Sequence, residues 1–283
     1  MTQKADLHIH TTVSGDSLNT PEDVFKKAKE AGLSAVAFTD HETTRNHGIG
    51  HELSKKYKIE FLPGIEVSSI WKGQTAHMLG YFSGSVSAGF NKFVDKTARA
   101  GARDIAASII KQLQETGMDI TLEEYDEISK KSTTSSSPLL TLMIEKGYVR
   151  DIRDYQEKTK HLDVKTNSIL FPSVTEIISQ IHQAGGIAVL AHPGAHKKEH
   201  LHSFTVADIE KIAEAGLDGI EVYHYSNNES KKAIYLDLAQ KYNLLVTGGS
   251  DNHGIKKKGR PNEIGSYWCD WELVKDKITR GGY

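Results

Sequence analysis

The stretch Thr20–Glu42, TPEDVFKKAKEAGLSAVAFTDHE, contains in one unit the pattern from which the rest of the chain can be read. Thr20 suits an N-cap, Pro21 suits the first helical position, and Asp23 follows three residues after the cap as in a capping box. Val24, Phe25, Ala28 and Ala31 recur at helical spacing, and Gly32 supplies a terminator. The run SAVAFT is short and almost wholly apolar, as expected of a strand buried on both faces. The unit ends on two chemically active residues, Asp40 and His41.

The construction returns three times. SVTEIISQIHQAGGIAVLAHP ends at His192, TVADIEKIAEAGLDGIEVYH at His224, and NESKKAIYLDLAQKYNLLVTGGSDNH at Asp251 and His253. Helix followed by buried strand, repeated, predicts βα units and a parallel sheet. IEFLPGIEVS and AHMLGYF read as further strands carrying Glu66 and His77, and the opening ADLHIH alternates so that His8 and His10 share one strand face. Histidines and carboxylates therefore cluster at strand ends, where (β/α) barrels keep their active sites. His182, on a helix face, reads instead as structural, and His47, His51, His161, His200 and His202 fall in polar or loop contexts.

The segment 83–171 breaks the rhythm. NKFVDKTARAGARDIAASIIKQLQETG has helical periodicity, Thr121 and Glu124 stand at capping-box spacing, and the tract STTSSSP is a loop between helices. We read residues 1–82 and 172–283 as one barrel, and 83–171 as a helical insertion serving as cap, lid or substrate shelf.

A chain of 283 residues can bury a large core, and its 38% hydrophobic and 25% charged content matches ordinary globular proteins. The formal charge of −2 lacks the basic excess of a long nucleic-acid or membrane-surface binder. One cysteine, Cys269, leaves no internal disulfide, which fits a reducing cytoplasm. No secretory leader is visible, and no run approaches the roughly 18 apolar residues of a membrane span.

The candidate ligands are His8, His10, Asp16, His41, Glu66, His77, His192, Asp251 and His253. Nine mixed nitrogen and oxygen donors exceed the needs of one tetrahedral ion and suit two to three divalent ions of manganese, zinc or iron. Neighbouring ions about 3.5–4 Å apart activate water and stabilise in-line displacement at phosphorus. No GxSxG elbow, Walker A loop or dinucleotide GxGxxG offers a competing chemistry, so hydrolysis by metal-activated water fits best.

DLHIH, FTDHE, PGIEVS, AHMLGYF, LAHPG and GSDNHG resemble, in order, the motifs of the PHP (polymerase and histidinol phosphatase) superfamily. The insertion resembles that of its stand-alone branch, which includes AMP and nucleoside 3′,5′-bisphosphate phosphatases and enzymes that trim RNA 5′ ends. The resemblance implies a distorted (β/α)7 barrel with a trinuclear metal centre. It places His8, His10, Glu66 and Asp251 on a first ion, bridges Glu66 to a second held with His77 and His192, and gives Asp16, His41 and His253 to a third. It implies a catalytic or phosphate-contacting role for His224 and supporting roles for Asp6 and Asp40.

The chain departs from that branch where a Gly-Arg-Pro-His run usually grips a substrate phosphate. The comparable residues are Ser136, Ser137, Pro138 and Leu139. Arg99, Arg103, Lys197 or Lys198 could replace the missing cation, and Arg103 and Lys197 are taken as substrate-binding candidates. Lys256, Lys257, Lys258 and Arg260 could draw an anion to the mouth.

The expected reaction is hydrolysis of a small phosphomonoester, a nucleotide, nucleoside bisphosphate or sugar phosphate. Trimming of short RNA is the main alternative, and no long nucleic acid or membrane is expected as a partner. An amidohydrolase would lack a lysine for carbamylation and leave Asp16, His41 and His253 unexplained. A non-catalytic metal-binding module would not need every ligand.

Overall fold

The computed structural model describes residues 2–132, 138–164, 170–195, 201–255 and 262–280. Eight strands form one sheet in the order β7-β6-β5-β4-β3-β2-β1-β8. β1 (Lys4–Ile9), β2 (Ala35–Phe38) and β3 (Glu60–Trp71) run parallel, as do β5 (Gly186–Leu190), β6 (Gly219–Tyr223) and β7 (Leu245–Gly248). The segment after β7 returns to β1, with Asp251 N–H donating to His8 O at 2.8 Å and His10 N–H to Asn252 O at 3.0 Å. These bonds nearly close the barrel, and β8 (Cys269–Asp270) is an antiparallel addition beside β1. Closure needs close backbone approach at Gly249, where a Cβ would lie 2.3 Å from that of His8.

The sheet is mixed, in contrast to the parallel sheet expected. β4 (Gln74–Phe82) is antiparallel to both β3 and β5. Only Lys72 and Gly73 separate Trp71 from Gln74, and both have positive φ, 49° and 74°. That is the two-residue hairpin geometry, whereas a parallel return would need a crossover of a dozen or more residues.

Helix α1 (Pro21–Glu30) forms as its sequence directs, with Thr20 and Asp23 making a reciprocal capping box. Its Val24, Phe25 and Ala28 pack with Ile9, Val36 and Phe38 on the outside of the barrel. α2 (His47–Tyr57) occupies a stretch read as polar and loop-like. α7 (Val174–Gln183), α8 (Val206–Glu214), α9 (Glu229–Tyr242) and α10 (Trp271–Arg280) complete the surrounding layer.

The inserted segment contributes α3 (Ala88–Glu115), α4 (Leu122–Lys131), α5 (Pro138–Glu145) and α6 (Ile152–Thr159). The first half of α3 joins the barrel's packing through Phe90 and Val94, while Ala106, Ile109, Ile110 and Leu113 join α4 to α6 in a separate core. One long helix therefore ties the insertion to the barrel.

Candidate metal centre

β1 delivers His8, and the residue just past its end is His10, both at the barrel mouth and fully buried. The register slips between Asp6 and Ile9, a local irregularity of the kind that re-aims side chains beside active sites. Ala5 and Leu7 fill the inner core and Ile9 packs outward against α1. Asp6 accepts from the backbone N–H groups of Ser250 and Gly265, each at 2.9 Å, and Asp40 from the N–H and hydroxyl of Thr11 at 2.6 and 2.8 Å. Both acids, expected to support ligands, hold the backbone of ligand-bearing segments and not the imidazole rings.

Glu66 on β3 stands at the centre. Its Oε2 lies 3.2 Å from His8 Nε2, 3.1 Å from His10 Nε2 and 3.3 Å from His41 Nδ1. Its Oε1 lies 2.8 Å from His77 Nδ1 and 3.0 Å from His192 Nε2. Asp251 Oδ1 lies 3.3 Å from His10 Nε2 and 3.4 Å from His253 Nδ1. Asp16 Oδ2 lies 3.2 Å from His253 Nε2 and 3.4 Å from His41 Nε2. All nine sequence candidates converge on one mouth.

Among the described residues three groupings of mutually close donors result: His8, His10, Glu66 and Asp251; His10, Asp16, His41 and His253; and His41, Glu66 and His77. The first coincides with the first expected set. The others differ in partition, since His10 joins the Asp16 group and His41 faces Glu66 as well as Asp16. His192 remains at Glu66 through its Nε2.

Several buried atoms of the candidate ligands lack a hydrogen bond: His8 Nε2, His10 Nε2, His77 Nδ1 and Asp16 Oδ1. Carboxylate oxygens stand close to these imidazole nitrogens without hydrogen-bond alignment, as expected of donors sharing a third partner. Imidazole nitrogens and carboxylate oxygens without thiolate suit borderline and hard divalent ions. The residues fit such ions.

Electrostatics agree. Burial opposes ionisation of Glu66, yet the imidazoles of His77, His8 and His41 hold it well below the usual carboxylate range. Asp251 is likewise held down, against burial, by His253, His10, His224 and His8. Burial works against charge on His8, but Glu221 and Glu66 outweigh it and raise the imidazole well above its ordinary value. The carboxylates stay ionised and attract positive charge, for which protons and metal ions compete at the same nitrogens.

Glu221 was not singled out from the sequence. Fully buried on β6, it takes His8 Nδ1 at 2.9 Å on one oxygen and the N–H of His192 at 2.7 Å on the other. Its signal was visible as a carboxylate within the apolar strand GIEVY. A proton held on Nδ1 by Glu221 leaves the Nε2 lone pair of His8 free toward the centre. Ser14 was also missed; its hydroxyl accepts from the N–H of His41 at 3.0 Å and stands 3.4 Å from His10 Nδ1.

His224 has the opposite polarity. The N–H of Ser226 donates to its Nδ1 at 3.2 Å, so the neutral ring carries its proton on Nε2. That buried Nε2 lies 3.6 Å from Asp251 Oδ2. It is a donor beside the centre, not a lone pair for a metal.

Backbone strain marks the same rim. Among non-glycine residues, His192 (φ 26°), Asp251 (φ 50°) and Glu42 (φ 57°) are left-handed beside the centre. Lys58 and Asn243, also left-handed, cap helices instead. Such conformations persist where surrounding contacts impose them.

Arg103 does not reach the centre. Its guanidinium pairs with both oxygens of Asp126 at 2.7 and 2.8 Å, because Arg99 and Arg103 each follow a cavity-lining alanine, Ala98 and Ala102, by one residue and so stand about 100° around α3 from that wall. Arg99 pairs with Asp95. Lys197, Lys198, Ser136, Ser137, Lys256, Lys257, Lys258 and Arg260 lie outside the described residues, as do His196 and His200. His182 is structural, its Nε2 standing 2.7 Å from Asp218 Oδ2. His202 is not solvated, for it bridges Gln74 and Asp208.

A family model described as the PHP domain matches residues 6–246. The chain is 30% identical over 269 residues to a phosphoribosyl 1,2-cyclic phosphate 1,2-diphosphodiesterase of Eggerthella lenta, covering 92% of this chain and 97% of that protein. It is 26% identical over 288 residues to the 5′-3′ exoribonuclease Rnm of Escherichia coli, covering 97% and 96%. A solved structure from Bifidobacterium adolescentis, described as a metal-dependent phosphoesterase, matches with a TM-score of 0.79 at 27% identity over 99% of this chain and 96% of that one.

Proposed function

The chain belongs to the PHP domain family of metal-dependent phosphoesterases, and from that premise we propose that it hydrolyses a small phosphomonoester. The observation that carries this reading is Glu66, whose two buried oxygens face five imidazoles within 2.8–3.3 Å. Three donor groupings share residues around it. A terminal phosphoryl group has three unesterified oxygens over which its charge spreads, whereas a diester has two. The doubly charged terminal group of a monoester suits a centre with donors for more than one cation.

Divalent ions bound here supply Lewis acidity toward water and toward the phosphoryl oxygens. Manganese, zinc and iron all suit the donors, two to three per chain. The protein's own contribution is orientation. Glu221 fixes the tautomer of His8 and the backbone of His192. His224 points an N–H at the reacting group, placed to donate to a phosphoryl oxygen or to the departing alkoxide. The burial of His8, His10 and Glu66 strengthens each of these interactions.

The relatives named as a cyclic-phosphate diphosphodiesterase and an exoribonuclease favour a second reading, cleavage of a diester or of RNA 5′ ends. One experiment separates the two. Metal-supplied protein is assayed on a nucleoside monophosphate, a sugar phosphate, a ribose cyclic phosphate and a 5′-phosphorylated oligoribonucleotide. Release of inorganic phosphate from the monoesters supports our reading; cleavage confined to the cyclic or oligonucleotide substrates overturns it.

A further inference from the structure

His192 reaches the centre from a turn that follows β5, not from the strand itself. Residues 192–195 close on themselves, with the N–H of Ala195 donating to His192 O at 2.9 Å. His192 has a positive φ of 26°, which a β-carbon disfavours and surrounding contacts must impose. Those contacts can be traced bond by bond. The N–H of His192 goes to Glu221, and Pro193 O accepts from the N–H of Phe204 at 3.2 Å. Both peptide groups of Gly194 go to one short stretch after β6. Its N–H donates to Asn227 Oδ1 at 3.1 Å, and its carbonyl accepts from Lys231 Nζ at 2.7 Å.

Three features mark this as a built contact. Asn227 is buried, and its Nδ2 donates to Glu221 O and Val222 O at 3.1 and 3.0 Å, which fixes Oδ1 toward Gly194. Lys231 lies in the first turn of α9, where the helix dipole opposes a cation, yet its ammonium is brought onto the Gly194 carbonyl. A Cβ at residue 194 would stand 2.2 Å from Asn227 Oδ1 and 2.9 Å from Lys231 Cδ, so the approach requires glycine. Asn227 also closes the neighbouring turn. Its backbone N–H donates to His224 O at 3.0 Å, and Ser226 Oγ stands 2.8 Å from His224 Nδ1 and 3.4 Å from Asn227 Oδ1. One residue therefore joins the turn carrying His192 to the turn carrying His224, whose rings lie 5.3 Å apart.

We propose that Asn227 and Lys231 are positioning residues that clamp Gly194, lock the His192 turn to the His224 turn, and so hold His192 Nε2 toward the ion site at Glu66 Oε1. They act through the two histidines. The inference concerns how the centre is assembled and does not depend on which ester is cleaved.

Manganese affinity of the full chain, read by chelator competition, tests this without a substrate. Asn227→Ala and Lys231→Met are each expected to weaken binding by about tenfold or more. Methionine keeps an apolar stem beside Gly194 and loses the ammonium, whereas Lys231→Arg restores a donor and is expected to bind manganese close to the wild-type value. Melting of the metal-free variants separates the clamp from plain stability. A lowered Tm with unchanged manganese affinity in both Asn227→Ala and Lys231→Met overturns the inference, and so does an arginine variant as weak as the methionine one. Should Asn227→Ala fail to fold, the two Lys231 variants decide. If the wild-type chain binds no manganese, the metal centre and this clamp fall together. If it binds manganese and cleaves only diesters, the monoesterase reading falls and the clamp is still judged by the affinities.

Discussion

At the scale of single residues, two histidines one strand apart have opposite proton placement. His8 keeps its proton toward Glu221 and its lone pair toward the centre, while His224 keeps its proton on the atom facing the centre. Glu221→Gln is therefore expected to lower metal affinity about 10- to 100-fold, measured by chelator competition, because the amide cannot match a carboxylate in orienting His8 and polarising its ring. Unchanged affinity would remove Glu221 from the account. His224→Asn should instead leave bound metal unchanged while kcat falls by about 10²-fold or more; loss of metal with activity would make it a ligand. Most of the nine donors were legible in the sequence because they close or directly follow apolar strand runs, while Glu66 and His77 stand within β3 and β4 and Asp16 lies in the loop after β1. Glu221 was not legible, because a carboxylate inside such a run was passed over as part of the strand. Arg103 was misplaced because its partner Asp126 comes from α4, and only helix packing shows that a residue about 100° around α3 from Ala102 meets that carboxylate instead of the centre.

At the scale of elements, the capping boxes, glycine terminators and buried strands were readable, since local propensity and tertiary environment agree there. Direction in the sheet was not. β3 and β4 look like buried parallel strands in composition, and only the brevity of Lys72-Gly73 reveals an antiparallel pair. The hairpin tip is anchored by Asp208 at the start of α8. Its carboxylate accepts from Trp71 Nε1 at 3.0 Å and from the N–H of Thr205 at 3.0 Å, and pairs with Lys72 at 2.5 Å. Although burial opposes charge, these partners hold Asp208 well below the usual carboxylate range. A depressed folded-state pKa means the stabilisation is complete above the unfolded value of about 4 and is lost as pH falls below it. Urea unfolding of Asp208→Asn should thus show a deficit of about 2 kcal/mol at pH 7 that shrinks at pH 3. A deficit independent of pH would contradict the assignment.

At the scale of the whole molecule, residues from His8 to His253 meet at one end of a nearly closed barrel. That convergence depends on long-range pairings, above all the return of the segment after β7 to β1, which no local pattern encodes. The insertion's own core was legible as helices, whereas the cavity it builds beside His41 and His77 emerges only from packing. A formal charge of −2 is compatible with an anionic substrate, because the cations the centre would hold are absent from that count. The central claim is that this donor set binds several ions at once. Elemental analysis of the chain, saturated with manganese and freed of loose metal, counts them directly. Two to three ions per chain are expected; one or none would contradict the account.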